Sequence, residues 1–167
     1  MKAKSFTFFK LRIKHLLQDA GIRYDLIEAV IGGTIGSIPS LIKRSDILEK
    51  EKDSLDFKEN IEALSRVLNI SQKQEKSGEV DSSLFENNFE LELHEKIEKV
   101  KISLNAVKSE HEYYQLLVSL KPEINQYFDH TMVMAEDKKI RNNRLNQLNE
   151  LAQLIITFAN VNKIIVK

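Results

Sequence analysis

The stretch YFDHTMVMAEDKKIRNNRL, residues 127–145, decides how the chain folds. An apolar Met-Val-Met run separates two segments of helical periodicity, and Arg141 and Arg144 then fall on the face that the second segment must bury. Continued at helical spacing, that face reads Arg141, Arg144, Leu145, Leu148, Leu151, Ala152, Ile155 and Ala159. A guanidinium on such a stripe needs a carboxylate, a carbonyl cluster or a phosphate to offset its desolvation, and its planar fork suits all three. Asp129 and Asp137 are the candidate acids nearby in sequence.

Outward from this stretch the same periodicity recurs. Ser5 can cap a first helix with Phe6, Phe9, Ile13, Leu16, Leu17 and Ala20 inward, closed by Gly21. A short helix is expected from Tyr24 to Ile31, and GGTIG at residues 32–36 reads as a turn, since it lacks the Gly-Lys-Ser/Thr of a phosphate cradle. Pro39 starts a helix toward Lys52, and Asp53 or Ser54 caps another with Phe57, Ile61, Leu64, Val67 and Leu68 as its core face. SQKQEKSGEVDSS, residues 71–83, carries one apolar residue in thirteen and reads as an exposed connection between an N-terminal helical region, residues 1–70, and a C-terminal one, residues 84–167. Helices are predicted from Leu84 to Val107, from His111 to Leu120, from Pro122, and from Asp137 or Glu136 to about Asn160, with NKIIVK packing back on the bundle. The fold class is therefore all-α, a helical bundle of about six to eight helices.

Composition agrees. The chain has 167 residues, 42% hydrophobic and 30% charged, with five Gly and two Pro, which suits a helical domain with a real core. No apolar run reaches the roughly 20 residues that cross a bilayer, and no signal segment opens the chain, so no membrane partner and a cytoplasmic location are expected. The absence of cysteine excludes disulfides, thiolate metal sites and thiol catalysis. His15, His94, His111 and His130 lie too far apart for a helical metal pair, and HEKIE at 94–98 lacks the second histidine of a zinc-protease helix. No catalytic constellation emerges.

The net charge is zero, but it is segregated. Residues 1–23 hold six basic side chains (Lys2, Lys4, Lys10, Arg12, Lys14, Arg23) against one acid, and residues 138–167 hold six against Glu150. Residues 79–98 hold seven acids against Lys96. If the two basic ends packed side by side, one surface would attract phosphate; solvated faces and mutual ion pairs are the alternative.

The opening stretch resembles the C-terminal signature of the bacterial glycyl-tRNA synthetase beta subunit, in which an aromatic-Asp pair leads into Val-Met-Val-Met, an acidic pair and an Arg-x-Asn-Arg-Leu helix. Phe128, Asp129, Met132, Val133, Met134, Asp137, Arg141, Asn143, Arg144 and Leu145 match it, whereas Thr131 stands where a larger apolar residue belongs. ALSRVLNI, residues 63–70, resembles the Arg-Val-x-Asn-Ile element of DALR-type anticodon-binding domains, and GIRYDLIEAVI, residues 21–31, resembles the family's entry to that region. The resemblance implies a helical anticodon-binding domain excised from a longer subunit, with no active site and no cofactor of its own. ATP and magnesium would be needed only at the alpha subunit's adenylation site. Implied partners are glycine tRNA, the remainder of the beta subunit and the alpha subunit. Lys10, Lys14, Arg23, Lys43, Arg44, Lys138 and Lys139 are exposed-type basic positions that could contact phosphate. Arg66, Asn69, Asp129, Asp137, Arg141, Asn143 and Arg144 are motif positions, either contacting RNA or forming a clamp that locks the final helix to Asp129 and its neighbours. A protein-interaction module that docks within the synthetase without touching RNA is the alternative.

Overall fold

Helix after helix forms where apolar spacing and capping chemistry coincide. The structure, a computed structural model, describes residues 2–74 and 77–167; Met1, the side chain of Lys2 counted in the first basic cluster, and Glu75 and Lys76 of the expected connection lie outside the described residues. Among the described residues there are eight α-helices, two short 3₁₀ turns and no strand. The helices are α1 (Lys2–Asp19), α2 (Tyr24–Gly32), α3 (Ile38–Glu51), α4 (Phe57–Ser71), α5 (Asn88–Leu104), α6 (Glu110–Val118), α7 (Lys121–His130) and α8 (Lys138–Phe158). The fold is all-α, as the periodicity requires.

The starts of α3, α5, α6 and α8 each have a side chain accepting from free amides: Ser37, Asn87, Ser109 and Asp137. Helix α1 ends on Gly21 at φ 84°, with the Gly21 amide donating to Gln18 O and the Ile22 amide to Leu17 O, the paired closure that a left-handed residue permits. Helix α4 buries all five predicted core positions, Phe57, Ile61, Leu64, Val67 and Leu68, and its most extensive contact is with α8. Along α8 every position of the predicted stripe is buried except Arg141. One hydrophobic core runs from Ile13 to Ile164.

Three expectations need correction. Only Ile13 and Leu17 of α1's inward set are buried; Phe6 and Leu16 are 48% and 49% exposed, since α1 packs on α2 and α3 along a narrow line through Ile13 and Leu17. The long helix begins at Asn88 and not at Leu84, since the Asn87/Glu90 capping box sets its first turn and the chain before it is extended. Helix α4 starts at Phe57, after Asp56, and neither Asp53 nor Ser54 caps it through a side chain.

The tail packs back onto α2. The Asn160 amide donates to Ala29 O at 2.8 Å, the Ile165 amide to an Asp25 carboxylate oxygen at 2.7 Å, and Arg23 Nη2 to Ile165 O at 3.0 Å. Burial pushes the Asp25 carboxyl up, but the bonds from Arg23 and the Ile165 amide outweigh it and hold it below its ordinary range. Gly33 is what lets α2 approach the end of α8: an added Cβ would lie 2.7 Å from Ile156 O and 2.9 Å from Ala159 Cα, both backbone atoms. Gly33→Ala is therefore expected to lower the melting temperature by several degrees, corresponding to about 1 to 3 kcal/mol of overpacking, in a thermal scan followed by circular dichroism.

Candidate nucleic-acid interface

The motif arginines Arg141 and Arg144 are placed by α8, and the acids that Arg144 finds come from α5 and the turn before it. Arg144 is 5% exposed and donates from Nε to Glu90 Oε1 at 2.8 Å, from Nη2 to Glu86 Oε2 at 3.0 Å and to Glu90 Oε2 at 3.3 Å, and from Nη1 to Met132 O at 2.9 Å. Glu90 is fully buried, and its Oε2 also accepts from the Glu86 and Asn87 amides at 2.7 and 3.2 Å. Burial lowers the Arg144 pKa, but the Glu90 hydrogen bond and charge outweigh it and leave it above its ordinary value. The expected partners Asp129 and Asp137 are not used. Asp129 is exposed on the outer side of α7, and Asp137 directs its carboxylate to the Lys139 and Ile140 amides at the start of α8. Arg141 is half-exposed and donates only to the carbonyls of Ala135 at 2.9 Å and Glu136 at 3.5 Å.

The rest of α8's polar face grips the segment before α5. Asn143, 3% exposed, exchanges two bonds with the Asp81 backbone at 2.7 and 2.9 Å; Asn146 receives the Gly78 amide and donates to Glu79 O; Gln147 donates to Glu90 O at 2.7 Å. Residues 78–90 are thus tied to α8 through backbone and side-chain bonds, while most side chains of residues 77–83 stay exposed. The acidic block 79–98 supplies this clamp, so some of its charge is neutralised internally.

The basic candidates separate by environment. Arg44 is not an exposed phosphate ligand: it is 2% exposed, with Nη1 donating to Phe158 O at 2.6 Å and Thr157 O at 3.1 Å, Nη2 to Thr34 O at 2.7 Å and Ile35 O at 3.0 Å, and Nε to Ser40 Oγ at 3.2 Å. Among the described residues no carboxylate touches it, and burial lowers its pKa. Lys14 pairs with Glu28 at 2.5 Å, Arg23 with Asp25 at 2.5 Å, and Lys10 lies over the Phe6 ring at 4.6 Å. Lys43, Lys138 and Lys139 have no acid partner among the described residues, and Lys138 and Lys139 are exposed. The two basic ends have different neighbours, α1 packing on α2 and α3 and α8 chiefly on α4 and α6, so they are not joined through a principal helix contact.

Exposed cations instead gather where α4 ends and α8 begins. Arg66 and Asn69 lie on the exposed side of α4 and Lys73 in the turn that follows it, and Arg66 lies over the Phe128 ring at 4.4 Å. Between Lys73 and α8 opens a cleft of about 740 Å³ lined, among the described residues, by Lys73, Gln74, Gly78, Met134, Lys138, Arg141, Asn142, Leu145 and Asn146, three cations and no acid. A cleft of about 760 Å³ at Tyr24, Leu55 and Phe57 is less suited to an anion, because Arg23 and Lys52 in its wall are already paired with Asp25, Glu49 and Asp53. Sequence reasoning missed Lys73, Asn142, Glu86 and Glu90. Of these only Glu90 carried a signal, the Asn-x-x-Glu capping box at 87–90. Among the described residues no group of His, Asp and Glu side chains could hold a metal ion, and no helix is long and apolar enough to cross a membrane.

Eight helices among the described residues, the last of them clamped by a buried Arg–Glu pair and with exposed cations where it begins, define an all-α domain. Residues 61–164 match the DALR anticodon binding domain, and the chain belongs to that family. It is similar to the glycine–tRNA ligase beta subunits of Listeria monocytogenes serotype 4b (45% identical over 161 residues, 96% of this chain and 23% of the relative) and Listeria welshimeri serovar 6b (44% over 170 residues, 100% and 24%). The Pediococcus pentosaceus beta subunit is 40% identical over 162 residues, covering 96% of this chain and 23% of the relative. The chain spans about a quarter of the length of these curated relatives.

Proposed function

We propose that this domain grips the anticodon arm of glycine tRNA within a two-subunit glycine–tRNA ligase, leaving ATP, magnesium and aminoacylation chemistry to the alpha subunit in the cytoplasm. The observation that carries the reading is the cleft at the end of α4 and the start of α8, whose described lining holds Lys73, Lys138 and Arg141 and no carboxylate, in a chain of the DALR anticodon binding family. Loops of RNA are held through their phosphates by Lys and Arg and read through unstacked bases. Such a role needs no basic protein overall, only a local field, which a chain of zero net charge can still present.

The test is filter binding of the 167-residue chain to glycine tRNA and to a tRNA of unrelated anticodon. Tighter retention of glycine tRNA supports the reading; equal or absent retention removes it. Lys138→Ala combined with Lys139→Ala is expected to leave the melting temperature within about a degree and to weaken binding, and to reduce the slope of log affinity against log salt by about 1 for each phosphate released. Docking without RNA contact has one observation in its favour: α1 exposes Phe6, Phe8, Leu11 and Leu16 by 48 to 63%. On that second reading, α1 seats against the remainder of the beta subunit and the double lysine variant binds neither tRNA differently from the unmodified chain.

A further inference from the structure

We infer that the cleft between the end of α4 and the start of α8 receives one unpaired RNA nucleotide, its base on the cleft floor and its edge read by Asn142; this rests on the reading above and assigns it a site. The floor is apolar: Met134, 43% exposed, offers a surface for the face of a base, and Leu145, 4% exposed, belongs to the core that backs the cleft. Arg141 borders it with Nη1 anchored on the Ala135 and Glu136 carbonyls, while its Nε and Nη2 have no partner among the described residues. An anchored guanidinium plane is a platform on which a base stacks without first ordering a flexible side chain.

Asn142 stands one turn from Lys138 on the same wall, exposed and with no side-chain hydrogen bond among the described residues. Its neighbours differ. Asn143 is buried on the Asp81 backbone, and Asn146 engages both ends of its amide with Gly78, Glu79 and Gln74. Asn142 is thus the asparagine of this run left with a donor pair and an acceptor to offer, the complement of a base edge. Lys73 and Lys138 on opposite walls supply charge for the flanking phosphates. At about 740 Å³ the cleft falls within the range of small-molecule sites. Duplex RNA has no unstacked base to insert, so the cleft selects single-stranded loop over stem.

The experiment is a cycle between protein and RNA, read by the affinity of the full chain for glycine tRNA. Asn142→Ala is expected to weaken binding roughly fivefold at an unchanged melting temperature, and an abasic nucleotide at one anticodon-loop position to weaken binding of the unmodified chain about tenfold. Combined, the two changes should cost no more than the abasic nucleotide alone. Photo-crosslinking from 4-thiouridine or 6-thioguanosine at that position should mark the peptide holding Met134 to Asn146. Crosslinks to another face, or an Asn142→Ala effect that multiplies undiminished with every abasic position, would overturn the site while leaving tRNA binding itself intact. Failure of the unmodified chain to prefer glycine tRNA would remove the site and the functional reading together.

Discussion

Arg144→Met should cost this domain about 3 to 5 kcal/mol, a drop in melting temperature on the order of 10 °C. The substitution keeps the aliphatic stem and removes the fork. Glu90, with no solvent exposure, is then a buried carboxylate without its cation, although the Glu86 and Asn87 amides still reach it. The cost is the penalty for that stranded charge more than the intrinsic worth of the pair. A double-mutant cycle separates the two: Glu90→Gln with Arg144→Met should be less destabilised than the sum of the single variants, because the neutral amide has no charge to strand. Additive losses in urea melts would contradict the pairing.

Arg44→Met is the second large effect, with a different cause. Arg44 pairs with no acid; it gathers the carbonyls of Thr157 and Phe158 at the end of α8 and of Thr34 and Ile35 in the α2–α3 turn. The end of α8 also carries the partial negative charge of its helix dipole, which favours a cation there. Removing the guanidinium leaves several part-buried carbonyls without a donor, each worth about 1 to 3 kcal/mol, so a loss of roughly 3 kcal/mol or more is expected. Lysine should recover little, since one ammonium cannot span both pairs of carbonyls at once. Hydrogen exchange offers a local readout: the amides of Thr34 and Asn160, which bond to Ile156 O and Ala29 O, should lose protection ahead of those in α5.

These two arginines show what a sequence can and cannot deliver. Arg144 declares itself by lying on an aliphatic stripe, and α8 buries that stripe as the spacing requires. Arg44 lies between Leu41 and Leu48, both fully buried, so the same rule applies to it; grouping it with exposed lysines overlooks its periodicity. The partners are less legible. Periodicity says which face is inward, but not which distant element meets it, and the acid for Arg144 comes from a helix 54 residues away in the chain. Asp129 and Asp137 are near in sequence, whereas a residue just before a helix is more useful as its cap, which is the role Asp137 takes. The cleft is illegible for a similar reason. Lys73 and Asn142 look like ordinary polar positions on solvated ground, and only packing α4 against α8 makes them opposite walls. Helix identity, by contrast, is local, and caps and breakers place most ends within a few residues.

The division of labour between the motif and the cleft can be checked with one variant. Arg144→Lys keeps the positive charge but gives up the bidentate grip on Glu90, so its melting temperature should fall; its affinity for glycine tRNA, measured in the cold at about 10 °C where the chain remains folded by circular dichroism, should equal that of the unmodified domain. A folded Arg144→Lys variant that has lost tRNA binding would contradict the assignment of this arginine to the fold and move RNA recognition onto the motif itself.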